Sequence, residues 1–183
     1  MKSSKGFSLL ETMVVIGLLA ILTAIAVPSI ISQRNTANLR DAVSMIRGDF
    51  KLAQSRAILE NAFVPVIITA NGYTIFIDNG TGGGGVGNWE RDGTERLLCD
   101  RKLPAGIKID LSASATLFTD PLHPTSTRFD GRGYSITPGF LTVYLERPHL
   151  ITYVTYVKVD MNNRFGRITT TYTYRNVNQG EEK

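Results

Sequence analysis

The chain is poor in the residues that build catalytic and metal centres. Among its 183 residues there is one cysteine, Cys99, so no internal disulfide can form. An isolated cysteine reads as a small buried hydrophobe rather than a nucleophile. The two histidines, His123 and His149, each stand beside a proline in a loop-like stretch. A zinc site would need them together with carboxylates, and no ligand spacing joins them. No nucleophile-elbow sequence is present. No catalytic constellation results, so no enzyme activity, metal or other cofactor is expected.

Strong charge of one sign is also lacking. The formal charge is +4, and a dedicated nucleic-acid binder would show a heavier basic patch. Hydrophobic residues make up 43% and charged residues 20%, the balance of a folded chain rather than a disordered one. The length suits one domain of ordinary size, and no internal repeat is seen.

The most telling absence is local. From Met13 to Val27 there is no charged residue, and the apolar run continues to Ile31. Some 19 residues at about 1.5 Å rise span close to the ~30 Å hydrocarbon core of a bilayer. A short basic leader, Met1 to Gly6 with Lys2 and Lys5, precedes it. A secretory signal would be shorter and would end in an Ala-x-Ala-like site. This run ends in Val27-Pro28-Ser29-Ile30 and carries Glu11 at its start. A carboxylate at membrane depth costs several kcal/mol unless partnered, so Glu11 calls for a functional role.

Lys5-Gly6-Phe7-Ser8-Leu9-Leu10-Glu11 resembles the processing signal of type IV pilins and of the pseudopilins of type II secretion. The resemblance implies cleavage by the prepilin peptidase after Gly6 and N-methylation of the new terminus, Phe7. Glu11 then falls fifth in the mature chain. In the family this glutamate neutralises the terminal amine of a neighbouring subunit during filament assembly. Loss of Lys2 and Lys5 with the leader lowers the side-chain charge from +4 to +2. The positive-inside tendency places these lysines in the cytoplasm and the bulk of the chain beyond the inner membrane, in the periplasm of a Gram-negative cell.

Read in order, residues 1–6 form the leader, 7–31 the transmembrane and assembly helix, and 32–62 its amphipathic continuation. Gly17 is a packing notch or weak point, and Pro28, lacking an N–H, is expected to kink or end the helix. Leu39, Val43, Ile46, Phe50, Ala53 and Ala57 recur at helical spacing and predict one buried face. From Val64 the period changes to two. Val64–Thr69 and Tyr73–Ile77 flank an Asn71-Gly72 hairpin signal. Gly80, Gly82 and Gly85 match G-x-G-x-x-G, but no helix follows to bind phosphate, and the stretch reads as a flexible surface loop. Alternating runs at Ile107–Leu111, Ala115–Thr119, Phe140–Leu145, Ile151–Met161 and Phe165–Arg175 complete an antiparallel β-rich head over 63–175, with a polar tail at 176–183. The fold class is therefore α+β: a long N-terminal helix packed on an antiparallel head of about seven to eight strands.

Within the head, Gln54-Ser55-Arg56-Ala57-Ile58, Arg128-Phe129-Asp130-Gly131-Arg132-Gly133 and Phe165-Gly166-Arg167-Ile168 resemble motifs of the H-type minor pseudopilins and their FimT-like relatives. That resemblance implies a minor pseudopilin of a type II secretion pseudopilus, at or near its tip. Its partners would be other pilins or pseudopilins, the inner-membrane assembly platform, and secreted cargo. The alternatives are a minor type IV pilin that primes pilus assembly, or a DNA-binding minor pilin of natural transformation. The DNA-binding relatives carry Gly-Arg-x-Arg, where this chain has Gly166-Arg167-Ile168-Thr169. On that alternative Arg164, Arg167 and Arg175 would be the DNA contacts, too few for more than salt-sensitive binding.

Overall fold

A computed structural model of the chain describes residues 8–112, 117–145, 154–160 and 168–175. One α-helix, α1, runs from Leu9 to Glu60. The expected weak points Gly17 and Pro28 both lie inside it, so neither ends the helix. The chain divides into two units, residues 1–37 and 38–183.

In the first unit, Leu9–Val27 is apolar, with a mean hydropathy of 2.4 and none of it buried. Its length and composition suit a membrane crossing.

The second unit is built on the later turns of α1. Leu39, Ala42, Val43, Ile46, Phe50, Ala53 and Ala57 are all buried, which is the predicted face with Ala42 added. Full burial of a side chain such as Leu39, Ile46 or Phe50 is worth about 1.5–3 kcal/mol. The helix ends in a Schellman arrangement. Asn61 takes the left-handed conformation with φ 47°. Its N–H bonds Ile58 O, and the N–H of Ala62 bonds Ala57 O.

Nine strands follow among the described residues: β1 Val64–Thr69, β2 Gly72–Phe76, β3 Leu97–Lys102, β4 Ile107–Asp110, β5 Leu117–Phe118, β6 Ser126–Phe129, β7 Gly139–Leu145, β8 Val154–Asp160 and β9 Thr169–Arg175. They form two antiparallel sheets, ordered β3-β2-β1-β6 and β4-β7-β8-β9, with β5 also on β7. One core joins α1 to both sheets, through Val66 and Ile75 of the first and Ile109 and Val143 of the second.

Two sequence expectations change. β3 is invisible to a period-two reading because half of it, Asp100-Arg101-Lys102, is charged. The β1–β2 hairpin forms where expected, but Thr69 pairs with Gly72, so the loop is Ala70-Asn71. Gly72 is needed there for close approach: a Cβ would run into the carbonyl oxygen of Arg101 on β3.

Candidate assembly site and head surfaces

The assembly site begins at Ser8. Its Oγ accepts the N–H of Glu11 at 3.2 Å, and its carbonyl accepts the N–H of Thr12 at 3.2 Å. Ser8-Leu9-Leu10-Glu11 thus has the Ser-x-x-Glu spacing of an N-terminal capping box. That signal was open to sequence reading through the spacing alone. Glu11 lies in the first turn, where a negative charge is favoured by the helix dipole. It is exposed, and among the described residues no cation pairs with it. Gly6 and Phe7 lie outside the described residues.

In the head, three polar arrangements fix the surface. The first ties α1 to the edge strand β3. The nearly buried Asp49 accepts the Tyr73 hydroxyl at 2.8 Å and Arg101 Nε at 2.9 Å. Burial, helped by Asp49, pushes the Tyr73 hydroxyl well above the ordinary phenol value. Burial and Asp49 likewise push the thiol of Cys99 up to about 11, so it is protonated and unreactive at neutral pH. At the other end of this contact, Arg96 pairs with Glu60.

The second is the glycine-rich loop, which is ordered by three carboxylates rather than flexible. Asp78, fully buried, accepts the N–H groups of Gly87 at 2.5 Å and Trp89 at 3.1 Å. Glu95, 2% exposed, accepts those of Gly80 and Asp92 at 2.8 and 3.3 Å. Asp92 accepts the N–H of Gly85 at 3.2 Å. Trp89 is held with φ 69°, rare for a bulky residue. It stacks on His123 with ring centroids 4.5 Å apart. The Arg128 guanidinium lies 4.7 Å from both the Trp89 and the Phe63 ring centroids. Such cation–π contacts are worth about 0.5–2 kcal/mol each.

The third is the Phe129–Gly133 turn. Phe129 is fully buried. Asp130 Oδ1 accepts the N–H of Tyr134 at 2.9 Å, and its Oδ2 accepts Arg132 Nε at 3.0 Å. Gly133, at φ 79°, lies under Ile58, and its carbonyl accepts Gln54 Nε2 at 2.8 Å. Two of the resembling motifs, Gln54–Ile58 and Arg128–Gly133, therefore touch. A cleft of about 660 Å³ opens beside them, lined by Asn61, Phe63, Val86, Arg132 and Ile136 among others.

The turn has a pH consequence. Burial raises the Asp130 carboxyl, but the Tyr134 N–H and Arg132 outweigh this and hold it below the usual carboxylate range. Asp120 is lowered by His123 Nδ1–H and by the Leu122 N–H. A depressed folded pKa contributes stability above the unfolded value, near 4, which is lost as pH falls through the folded value. The melting temperature of the full chain in detergent is expected to hold from pH 7 to about 5 and to fall below about 4. Asp130→Asn should lower it at pH 7 and flatten that acid decline. An unchanged acid limb in this variant would refute the assignment.

The arginines expected to contact DNA are not brought together here. Arg164 and Arg167 lie outside the described residues. Arg175 ends β9, in register with Val154. Thr169, which replaces the second arginine of the DNA-binding pattern, is exposed at the start of β9. His149 also falls outside the described residues. Among the described residues no group of three or more His, Cys, Asp or Glu is placed to hold a metal.

A capped apolar helix that can cross a membrane, a carboxylate in its first turn and a β-rich head packed on its later turns define a pilin-like membrane subunit. Residues 1–27 match the prokaryotic N-terminal methylation motif, and residues 42–163 match the family of the type II transport protein GspH. The chain belongs to the GspH family. It is a minor pseudopilin-like subunit of the type II secretion and type IV pilin class, structural rather than catalytic. No curated protein and no solved structure matches it. The leader motif implies processing by a prepilin peptidase and assembly with other pilins or pseudopilins. One apolar helix with that leader fits a single-pass protein of the inner membrane.

Proposed function

We propose that the chain is a minor pseudopilin of a type II secretion pseudopilus, seated at or near its tip. Its head faces the periplasm, and the inner-membrane platform raises it into the filament. The observation that carries this reading is the GspH-family match over residues 42–163, joined to the methylation motif over residues 1–27. Gly6 is the cleavage position, Phe7 the methylated terminus and Glu11 the assembly charge. Gly17 and Pro28 are where the helix would loosen on entering the filament, since Pro28 cannot donate to the carbonyl of Ala24.

Deletion of the gene is the direct test. Secreted proteins should accumulate in the periplasm and disappear from the medium, and the full chain should restore them. Intact secretion with loss of surface pili would move the chain to the pilus-priming role. Intact secretion with loss of DNA uptake would move it to the DNA-binding role and to Arg164, Arg167 and Arg175.

A further inference from the structure

Sheet edges expose unpaired backbone N–H and C=O groups, and folded proteins guard them with charge, bulges or covering segments. Three of the four edges here are guarded. β3 carries Asp100, Arg101 and Lys102 and has a register shift opposite Ile75 and Phe76. β6 is covered by the returning chain: Ile136 N–H donates to Arg128 O at 3.1 Å, and Phe129 bridges to Ser135. β4 is tied to the other sheet, with Ile109 N–H donating to Ala70 O at 2.9 Å.

β9 has none of these devices among the described residues. It reads Thr-Thr-Thr-Tyr-Thr-Tyr-Arg, with no proline, no glycine and one charge, at its last residue. It pairs with β8 at all seven positions without a shift, so its outer side is straight and regular. Seven residues present an edge about 23 Å long, with roughly three outward-facing N–H and C=O pairs. β-Branched and aromatic residues favour a strand laid beside them.

We propose that the outer edge of β9 accepts an extended strand from another pilin-like subunit, extending the β4-β7-β8-β9 sheet across the contact. Backbone bonds supply the affinity, as in other strand additions. The complementary partner is a largely uncharged, β-branched segment with a carboxylate opposite Arg175, because opposite charges across a strand pair are favourable. The identity of the partner class rests on the assembly role proposed above, whereas the strand addition itself rests on the edge.

The test uses the full chain in cells that make its pilin-like partners. A photo-crosslinking residue replaces each of positions 169–175 in turn, with Lys102 on the charged edge as control. Adducts are expected on one segment of one pilin-like subunit, the partner residue advancing by two for every two positions along β9. The yield at Lys102 should be at least tenfold lower. No adduct, scattered adducts, adducts to DNA, or adducts only to this chain's own residues would each overturn the proposal. Lost secretion on deletion combined with any of those results leaves the assembly role standing and removes only the edge. Stepped adducts combined with unaffected secretion do the reverse.

Discussion

A Glu11→Ala chain is expected to be cut at Gly6 and methylated at Phe7 like the native chain, yet to yield no assembled filament. The substitution removes little from the helix itself. Ser8 Oγ still accepts the N–H of residue 11, and loss of a charge in the first turn costs about 0.3–1 kcal/mol. The membrane segment, Leu9–Val27, keeps its length and its apolar surface. The loss falls on assembly. Cleavage creates an ammonium on Phe7 at the edge of the apolar region, and a cation taken out of water without a partner is costly. Removing one member of a buried ion pair costs about 3–5 kcal/mol, a factor of several hundred to several thousand per contact. A filament repeats that loss at every subunit carrying the change. The measurement is an immunoblot for the size drop on leader removal, alongside recovery of sheared filaments. Glu11→Gln keeps the shape without the charge and should fail in the same way. Normal filaments from either variant would remove Glu11 from assembly.

The parts of this architecture that were legible in sequence are those set by periodicity and by the N-terminal motif. Leu39 to Ala57 recur at helical spacing because one stripe of α1 meets both sheets, and burial follows the pattern residue by residue. The α+β class and the β1–β2 hairpin followed from the change to period two. What stayed hidden depends on partners distant in sequence. β3 looks like a charged connection because Arg101 answers Asp49, 52 residues earlier. Gly72 looks like a turn glycine, although its value lies in its approach to β3. The glycine-rich stretch looks like a loose linker because composition does not reveal that Asp78 and Glu95 fold their carboxylates back onto its amides. The capping role of Ser8 was readable, being purely local.

The largest stability loss in the head is expected from Asp78→Ala. The carboxylate is fully buried and is the acceptor for two backbone donors, Gly87 N–H and Trp89 N–H. Hydrogen bonds to a charged acceptor are worth about 1.5–3 kcal/mol each, and alanine offers nothing in return. Trp89 is held at φ 69°, and release of a strained bulky residue returns about 1–3 kcal/mol. The net expectation is a loss of about 3 kcal/mol, which in a domain of this size lowers the melting temperature by about 6–12 °C. The loop would then let Trp89 leave Arg128 and His123. Trp89 is the only tryptophan in the chain, so its fluorescence reports this directly and should shift to the red as the ring meets water. Asp78→Asn keeps one acceptor oxygen and should show about half the loss with a smaller shift. An Asp78→Ala protein with native melting and native emission would mean that the loop is held by Glu95 and Asp92 alone.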